Sequence, residues 1–356
     1  MADYSQFGSL CEEWLNLVQD KGIVFPVALL NTQEQRRTFR TASNVARCRA
    51  SEDALKKQEG LDVTTQTKSI LCRDFQEIGA RVYWPYPIAR SQETKLGELQ
   101  NGDSCKVLLY FHGGGFLSGN LSTEDGTCVQ LASQGNIVVV SINYRHTPEW
   151  TYPHPFDDAW DARCQVLHQP QTLGLPPNID LYVAGISSGA NLAASLTVRE
   201  RMANDVKIQG QALWMPWLCH PDSFPFHAIE RPEKSSPIQC RHAPLLPYSL
   251  VEAFAEMLQV DDEGRRDVIT NPLLCSEIVM ERMPPTHILV CGNDPLRDHG
   301  MLFADKLDSS GVQVRSKIYP GLPHGFRRVN GLRSNSIWDN DLREGIQWLL
   351  KTGRSL

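Results

Sequence analysis

The sequence contains no run of five lysines or arginines, no Cys-x-x-Cys pair and no stretch of about eighteen apolar residues. The first absence, with a formal net charge of −6, removes the electrostatic footprint of a nucleic-acid-binding protein. The second removes the spacing of a zinc site or a dithiol redox motif. The third removes a transmembrane helix. Neither G-x-x-x-x-G-K-[ST] nor G-x-G-x-x-G occurs, so the usual phosphate and dinucleotide loops are missing as well. Residues 1–7 carry an early acid and no basic stretch leading into an apolar one, so no secretory signal is expected. Ten scattered cysteines then read as free thiols in a reducing compartment. The expectation is a cytoplasmic protein with no nucleic acid, membrane, metal or cofactor in its function. Whether it is a monomer or a homodimer stays open.

What is present is alternation. Residues 1–60 look helical and irregular, with helix-like spacing over 11–18 and an Arg-, Gln- and Ala-rich stretch over 32–50. Two strands are expected at 68–74 and 81–85, joined by a hairpin connection over 74–79. Residues 89–104 read as a polar loop. From Lys106 onward, continuous apolar runs alternate with helical segments. The strands are 107–111, 137–141, 181–184, 212–215, 288–291 and 314–319. The helices are 122–133, 156–165, 190–203, 301–307 and 338–350. Doubly buried strands alternating with helices predict an α/β fold: a mostly parallel central sheet with helices on both faces. The stretch 217–270, rich in Pro, His and Ser, breaks the alternation and is too long for a simple crossover. It reads as an inserted cap or lid, with a helix over 250–258 that Ser249 is placed to cap. The chain reads as a single domain, 1–356, with 1–60 as an N-terminal cap segment.

Four segments carry chemistry, and each follows a strand. Gly185-Ile-Ser187-Ser-Gly189 is a G-x-S-x-G between an apolar strand and a helix, the context of a nucleophile elbow. A serine there sits in a strained turn with its hydroxyl exposed, and the following helix adds N–H groups and a positive dipole end. His112-Gly-Gly-Gly-Phe116 offers approachable backbone N–H groups suited to an oxyanion hole. Asp294-Pro-Leu-Arg-Asp298 and Tyr319-Pro-Gly-Leu-Pro-His324-Gly complete the set. The chain order Ser, Asp, His fits Ser187 as nucleophile, His324 as general base and Asp294 as the carboxylate orienting it. Asp298 is the rival acid.

The ordered motifs resemble the hormone-sensitive-lipase-like branch of the α/β-hydrolases, the HGGG carboxylesterases. The resemblance runs from about Val107 to Phe326, outside the 217–270 insertion. It also takes in Asn143-Tyr-Arg-His-Thr-Pro148-Glu149, Asn271-Pro-Leu-Leu and Pro284-Pro-Thr-His-Ile-Leu-Val. It implies oxyanion donors on Gly114, Gly115 and Ser188, with Gly113 beside them, and a cap built from 1–60 and 217–270. It implies a buried, loop-supporting role for Glu149. The sequence departs from the family's Gly-Asp-Ser-Ala-Gly-Gly: Ile186 replaces the acid, Ser188 the alanine and Ala190 the glycine. The family's plant gibberellin receptors have lost the histidine that His324 retains here.

The expected reaction is acyl transfer on a small-molecule ester or thioester through an acyl-enzyme on Ser187. Phe116, Leu117, Trp214 and Trp217 are candidate pocket residues, with Phe224 and Phe226 behind them and His220 and His227 at the entrance. The alternatives are a biosynthetic hydrolase, acyltransferase or cyclase acting on a polyketide-type metabolite, and a non-catalytic ligand-binding receptor.

Overall fold

The computed structural model describes residues 1–25, 28, 30–57, 61–85 and 104–353. Among them, eight strands form one sheet: β1 (Val63–Leu71), β2 (Glu77–Pro85), β3 (Cys105–Phe111), β4 (Val138–Asn143), β5 (Ile179–Ile186), β6 (Ile208–Trp214), β7 (Thr286–Asn293) and β8 (Val314–Pro323). Their spatial order is β1-β2-β4-β3-β5-β6-β7-β8. The pairs β1/β2 and β2/β4 are antiparallel, and every other pair is parallel.

The apolar runs of β3, β4, β5 and β7 are continuous because both faces of the sheet are covered. Helices α3 (Asp125–Gly135) and α8 (Arg333–Thr352) cover one face, packing on Leu108, Tyr110, Val139 and Trp214. Helices α4 (His154–His168), α5 (Ser188–Ala203) and α7 (Arg297–Ser309) cover the other, over Val107, Leu109, Phe111 and Val183. Earlier in the chain lie α1 (Glu12–Lys21) and α2 (Gln33–Lys57), and α6 (Tyr248–Leu258) lies between β6 and β7. No described helix is long and apolar enough to cross a membrane.

Three expectations shift. The first strand starts at Val63, not Lys68, because Val63-Thr-Thr-Gln-Thr67 is a mostly exposed edge segment whose polarity hides it. The turn after it is correspondingly early: Phe75 N–H donates to Cys72 O (2.9 Å) and Cys72 N–H to Gln76 O (2.8 Å). Ser249 does not cap α6. That helix begins at Tyr248, two residues before the expected start, and Pro247 holds the cap position. The expected loop at 89–104 lies, save for its last residue, outside the described residues.

The connection from β6 to β7 contains no described strand, only short helical turns and α6. Asn191 of α5 binds both ends of the 217–270 stretch, its Nδ2 donating to Trp217 O (2.7 Å) and Thr270 O (3.1 Å). Helix α2 is fixed differently. Arg40, Asn44, Arg47 and Ser51 recur at intervals of three and four residues, so they share one face. That face meets the loop after β3, and through Ser51 the first turn of α3, by polar contacts.

Candidate active site

Ser187 follows β5 directly and sits at φ 58°, ψ −121°. A non-glycine residue there is strained, and the surrounding backbone must hold it. Ser187 N–H donates to Trp214 O (2.9 Å) on the neighbouring strand. Gly189 makes the tight turn possible: a Cβ at this position would stand 2.1 Å from Phe111 O. Helix α5 opens at Ser188, so the Ser188 N–H has no acceptor inside the helix.

Asp294 follows β7 and His324 follows β8, which brings both to the carboxyl edge beside Ser187. Ser187 Oγ–H donates to His324 Nε2 (3.1 Å). His324 Nδ1–H donates to Asp294 Oδ2 (2.7 Å). Asp294 is buried, and its Oδ1 accepts from Leu296 N–H (2.8 Å). Asp298 takes no part in this chain. It accepts from Arg297 Nε (2.7 Å) and from Ser236 N–H (2.6 Å), clamping the start of α7 to the segment around Ser236.

The loop from His112 to Gly119 has its carbonyls tied down. Tyr144 Oη–H donates to His112 O (2.8 Å). Arg47 Nη1 and His112 Nδ1 both donate to Gly113 O, each at 2.8 Å. Thr147 N–H donates to Phe116 O (2.8 Å) and Arg40 Nε to Leu117 O (2.9 Å). Gly114 has φ 135°, and a Cβ there would fall 1.8 Å from Ser118 O. The carbonyls of Gly113 and Gly114 are thus anchored, the latter by Leu117 N–H (3.1 Å) and Ser118 N–H (3.0 Å), while the Gly114 and Gly115 N–H groups that follow them donate to no described acceptor. Gly113 packs edge-on against the elbow, where a Cβ would lie 2.8 Å from Ile186 O. Glu149 is not buried: more than half of its side chain is exposed, and it pairs with Arg40 (2.6 Å). It reaches the loop only through that arginine.

A family profile described as alpha/beta hydrolase fold matches residues 108–328, well over half of the chain. The chain belongs to the α/β-hydrolase fold family. It is 34% identical over 252 residues to an esterase, LipI, of Mycobacterium tuberculosis, covering 70% of this chain and 71% of that one. It is 29% identical over 325 residues to an ethyl acetate hydrolase of Pseudomonas putida, covering 90% and 91%. The solved structure of vibralactone cyclase superposes with a TM-score of 0.80 at 23% identity, over 98% of this chain and 97% of that one, which shows the shared fold.

In this α/β-hydrolase, Phe116, Leu117 and Trp217 lie in one cluster beside the elbow, with Phe116 5.7 Å from Trp217 between ring centroids. Trp214 does not join them. It packs on the opposite face of the sheet with Tyr110, because its place on β6 points it under α3 and α8. Phe254 of α6 went unforeseen. Its ring covers Gly115 so closely that a Cβ there would approach within 2.2 Å, and Phe39 of α2 packs against it (5.9 Å). Phe224 meets Phe226 edge to face (4.9 Å) and lies tilted against the His299 ring (5.0 Å). His220 Nδ1 accepts from Asp222 N–H (3.2 Å) and His227 is exposed, so neither points to the serine.

Three other histidines are buried and neutral, and a fourth, His146, is half-buried. Burial, with the Arg47 charge adding to it, pushes His112 down to about 3. Burial likewise takes His299 to about 3 and His287 to about 4, and lowers His146 well below its ordinary value. Such groups bind protons in the unfolded chain before they do in the folded one. Stability is therefore full above about pH 6.5 and is lost as pH falls toward the folded values. His112, His287 and His299 each cost about 2 kcal/mol by pH 5, against a total of about 5–15 kcal/mol. Tm measured calorimetrically is expected to drop steeply between pH 7 and pH 5. A flat profile over that range contradicts neutral burial.

Proposed function

We propose that this chain is a serine carboxylesterase in which Ser187, His324 and Asp294 form a catalytic triad. The observation that carries the reading is the continuous hydrogen-bonded path from Ser187 Oγ through both His324 nitrogens to the buried Asp294 carboxylate. His324 Nε2 takes the Ser187 proton as Oγ attacks the ester carbonyl. The carbonyl electrons move onto oxygen, which faces the N–H groups of Gly114, Gly115 and Ser188. On collapse, His324 returns the proton to the departing alkoxide, leaving an acyl-Ser187. Water, deprotonated by the same nitrogen, then releases the carboxylic acid. Asp294 keeps Nδ1 protonated and stabilises the imidazolium that forms.

Phe116, Trp217 and Phe254 crowd the acyl side of the serine. We read 1–60 and 217–270 as the two halves of a cap, since α2 and α6 both meet over the Gly115 turn. A site so enclosed suits short acyl groups. Purified enzyme is therefore expected to hydrolyse p-nitrophenyl acetate and butyrate faster than palmitate, and to be labelled by a fluorophosphonate probe. No turnover together with no labelling would sink the reading.

Arg47 acts at one remove, as a positioning residue. Its guanidinium fixes Gly113 O, and so aims the next peptide N–H, that of Gly114. Deleting an oxyanion donor costs about 10²–10³-fold in kcat, and loosening one costs a fraction of that. Arg47→Met is expected to lower kcat about tenfold or more, with KM nearly unchanged. A change confined to KM rules out this role.

A further inference from the structure

A cavity lies behind the elbow, on the face of the sheet away from Phe116 and Trp217. It measures about 60 Å³, and Arg47, Tyr110, Glu124, Ile186 and Arg328 stand in its wall. Holding one water takes roughly 10–15 Å³, so this space suits a small ion with a few waters and excludes an organic substrate.

Its wall is unbalanced in charge and rich in unmet donors. Arg327 also lines it but is paired with Asp339 (2.5 Å), and Arg47 is paired with Glu124 (2.8 Å). That leaves Arg328, whose guanidinium has no carboxylate within salt-bridge distance among the described residues. Arg328 is solvent-accessible and forms the open side of the wall, with the Arg47 charge nearby. Arg47 is almost wholly buried through its Nη contacts, but its Nε has no described acceptor. The fully buried Tyr110 hydroxyl has none either. Buried donors without acceptors are costly. The residue facing them from the elbow is Ile186, whose side chain can accept nothing.

We propose that this cavity binds a small monovalent anion of the chloride class, held by Arg47 Nε, Tyr110 Oη and the Arg328 guanidinium. The anion supplies the acceptor and the negative charge that Ile186 does not. It bears on the loop as well, because the guanidinium it contacts also holds Gly113 O.

The test reads stability, so it stands apart from the esterase reading. Enzyme dialysed into gluconate is titrated with chloride at constant ionic strength while Tm is followed. A saturable rise of about 2–4 °C is expected. Bromide should reproduce it, whereas added gluconate, too large for the cavity, should not. Arg328→Gln and, separately, Tyr110→Phe, each checked for native circular dichroism, should blunt the response. Ile186→Asp places a carboxylate in the wall, so it should raise Tm in gluconate and abolish the chloride effect. Crystals soaked in bromide should show an anomalous peak within hydrogen-bond distance of Arg47 Nε. A wild-type Tm indifferent to chloride, a cavity without bromide, or a full response in Arg328→Gln would each mean that water alone fills the site.

Discussion

Ser187→Ala is expected to lower kcat on p-nitrophenyl acetate by about 10⁴–10⁶-fold and to eliminate fluorophosphonate labelling. The substitution removes one oxygen and leaves the backbone in place. Two features of the elbow argue that the fold survives it. The Ser187 side chain bonds only to His324, while its N–H and C=O are held by Trp214 O, Trp217 N–H and the first turn of α5. The strain at φ 58° is a backbone property that alanine shares. Tm should therefore stay close to wild type while turnover disappears. A residual rate above the uncatalysed reaction is expected, because the N–H groups of Gly114, Gly115 and Ser188 remain. Wild-type turnover in the variant would mean that another nucleophile carries the reaction.

The second large effect separates two aspartates four residues apart. Asp294→Asn is expected to cost about 10⁴-fold in kcat with little change in stability. An amide at 294 can no longer accept from His324 Nδ1 as a carboxylate does, and it favours the wrong imidazole tautomer. Asp298→Asn should do the reverse. Its carboxylate balances the fully buried Arg297 and accepts from Ser236 N–H, so removing its charge leaves a cation uncompensated. Breaking a buried pair in this way costs about 3–5 kcal/mol. The expected readout is a markedly lower Tm with kcat, measured well below that Tm, within about tenfold of wild type. If Asp298→Asn loses more activity than Asp294→Asn in folded enzyme, the acid has been misassigned.

The residues of the hydrogen-bonded path were readable from sequence because each sits just past a buried strand, in a short motif whose glycines and prolines have few other uses. Gly185-x-Ser187-x-Gly189 and His112-Gly-Gly-Gly-Phe116 are of this kind. What holds the loop was not readable, for a physical reason. Arg40, Asn44 and Arg47 bond mainly to backbone groups, and a backbone carbonyl leaves no mark in the sequence that presents it. The Arg-, Gln- and Ala-rich stretch 32–50 therefore read only as a helical part of the N-terminal cap, and its polar face became meaningful only beside Gly113 and Leu117. The error at Trp214 has a similar origin. Trp214 and Trp217 are three residues apart, but one still lies on β6 and the other beyond its end, so they serve opposite faces. Glu149 was placed correctly near the loop but given the wrong environment, because its partner Arg40 lies 109 residues away.

The polar seam along α2 also bears on the order in which the molecule becomes competent. Arg47 and Gly113 are 66 residues apart in the chain, and Arg40 and Thr147 are 107 apart. Contacts of that span are costly to form early, since long segments must be closed before they repay the entropy. The parallel strands can assemble from their own apolar runs, but the loop after β3 lacks its contacts at Gly113 O, Leu117 O and Gly119 N–H until a distant, weakly apolar helix docks on it. Few buried apolar contacts secure that helix, so it belongs to the part of the structure that opens first on warming. Catalytic geometry is then gained in the last packing event and lost in the first, while the sheet beneath remains intact.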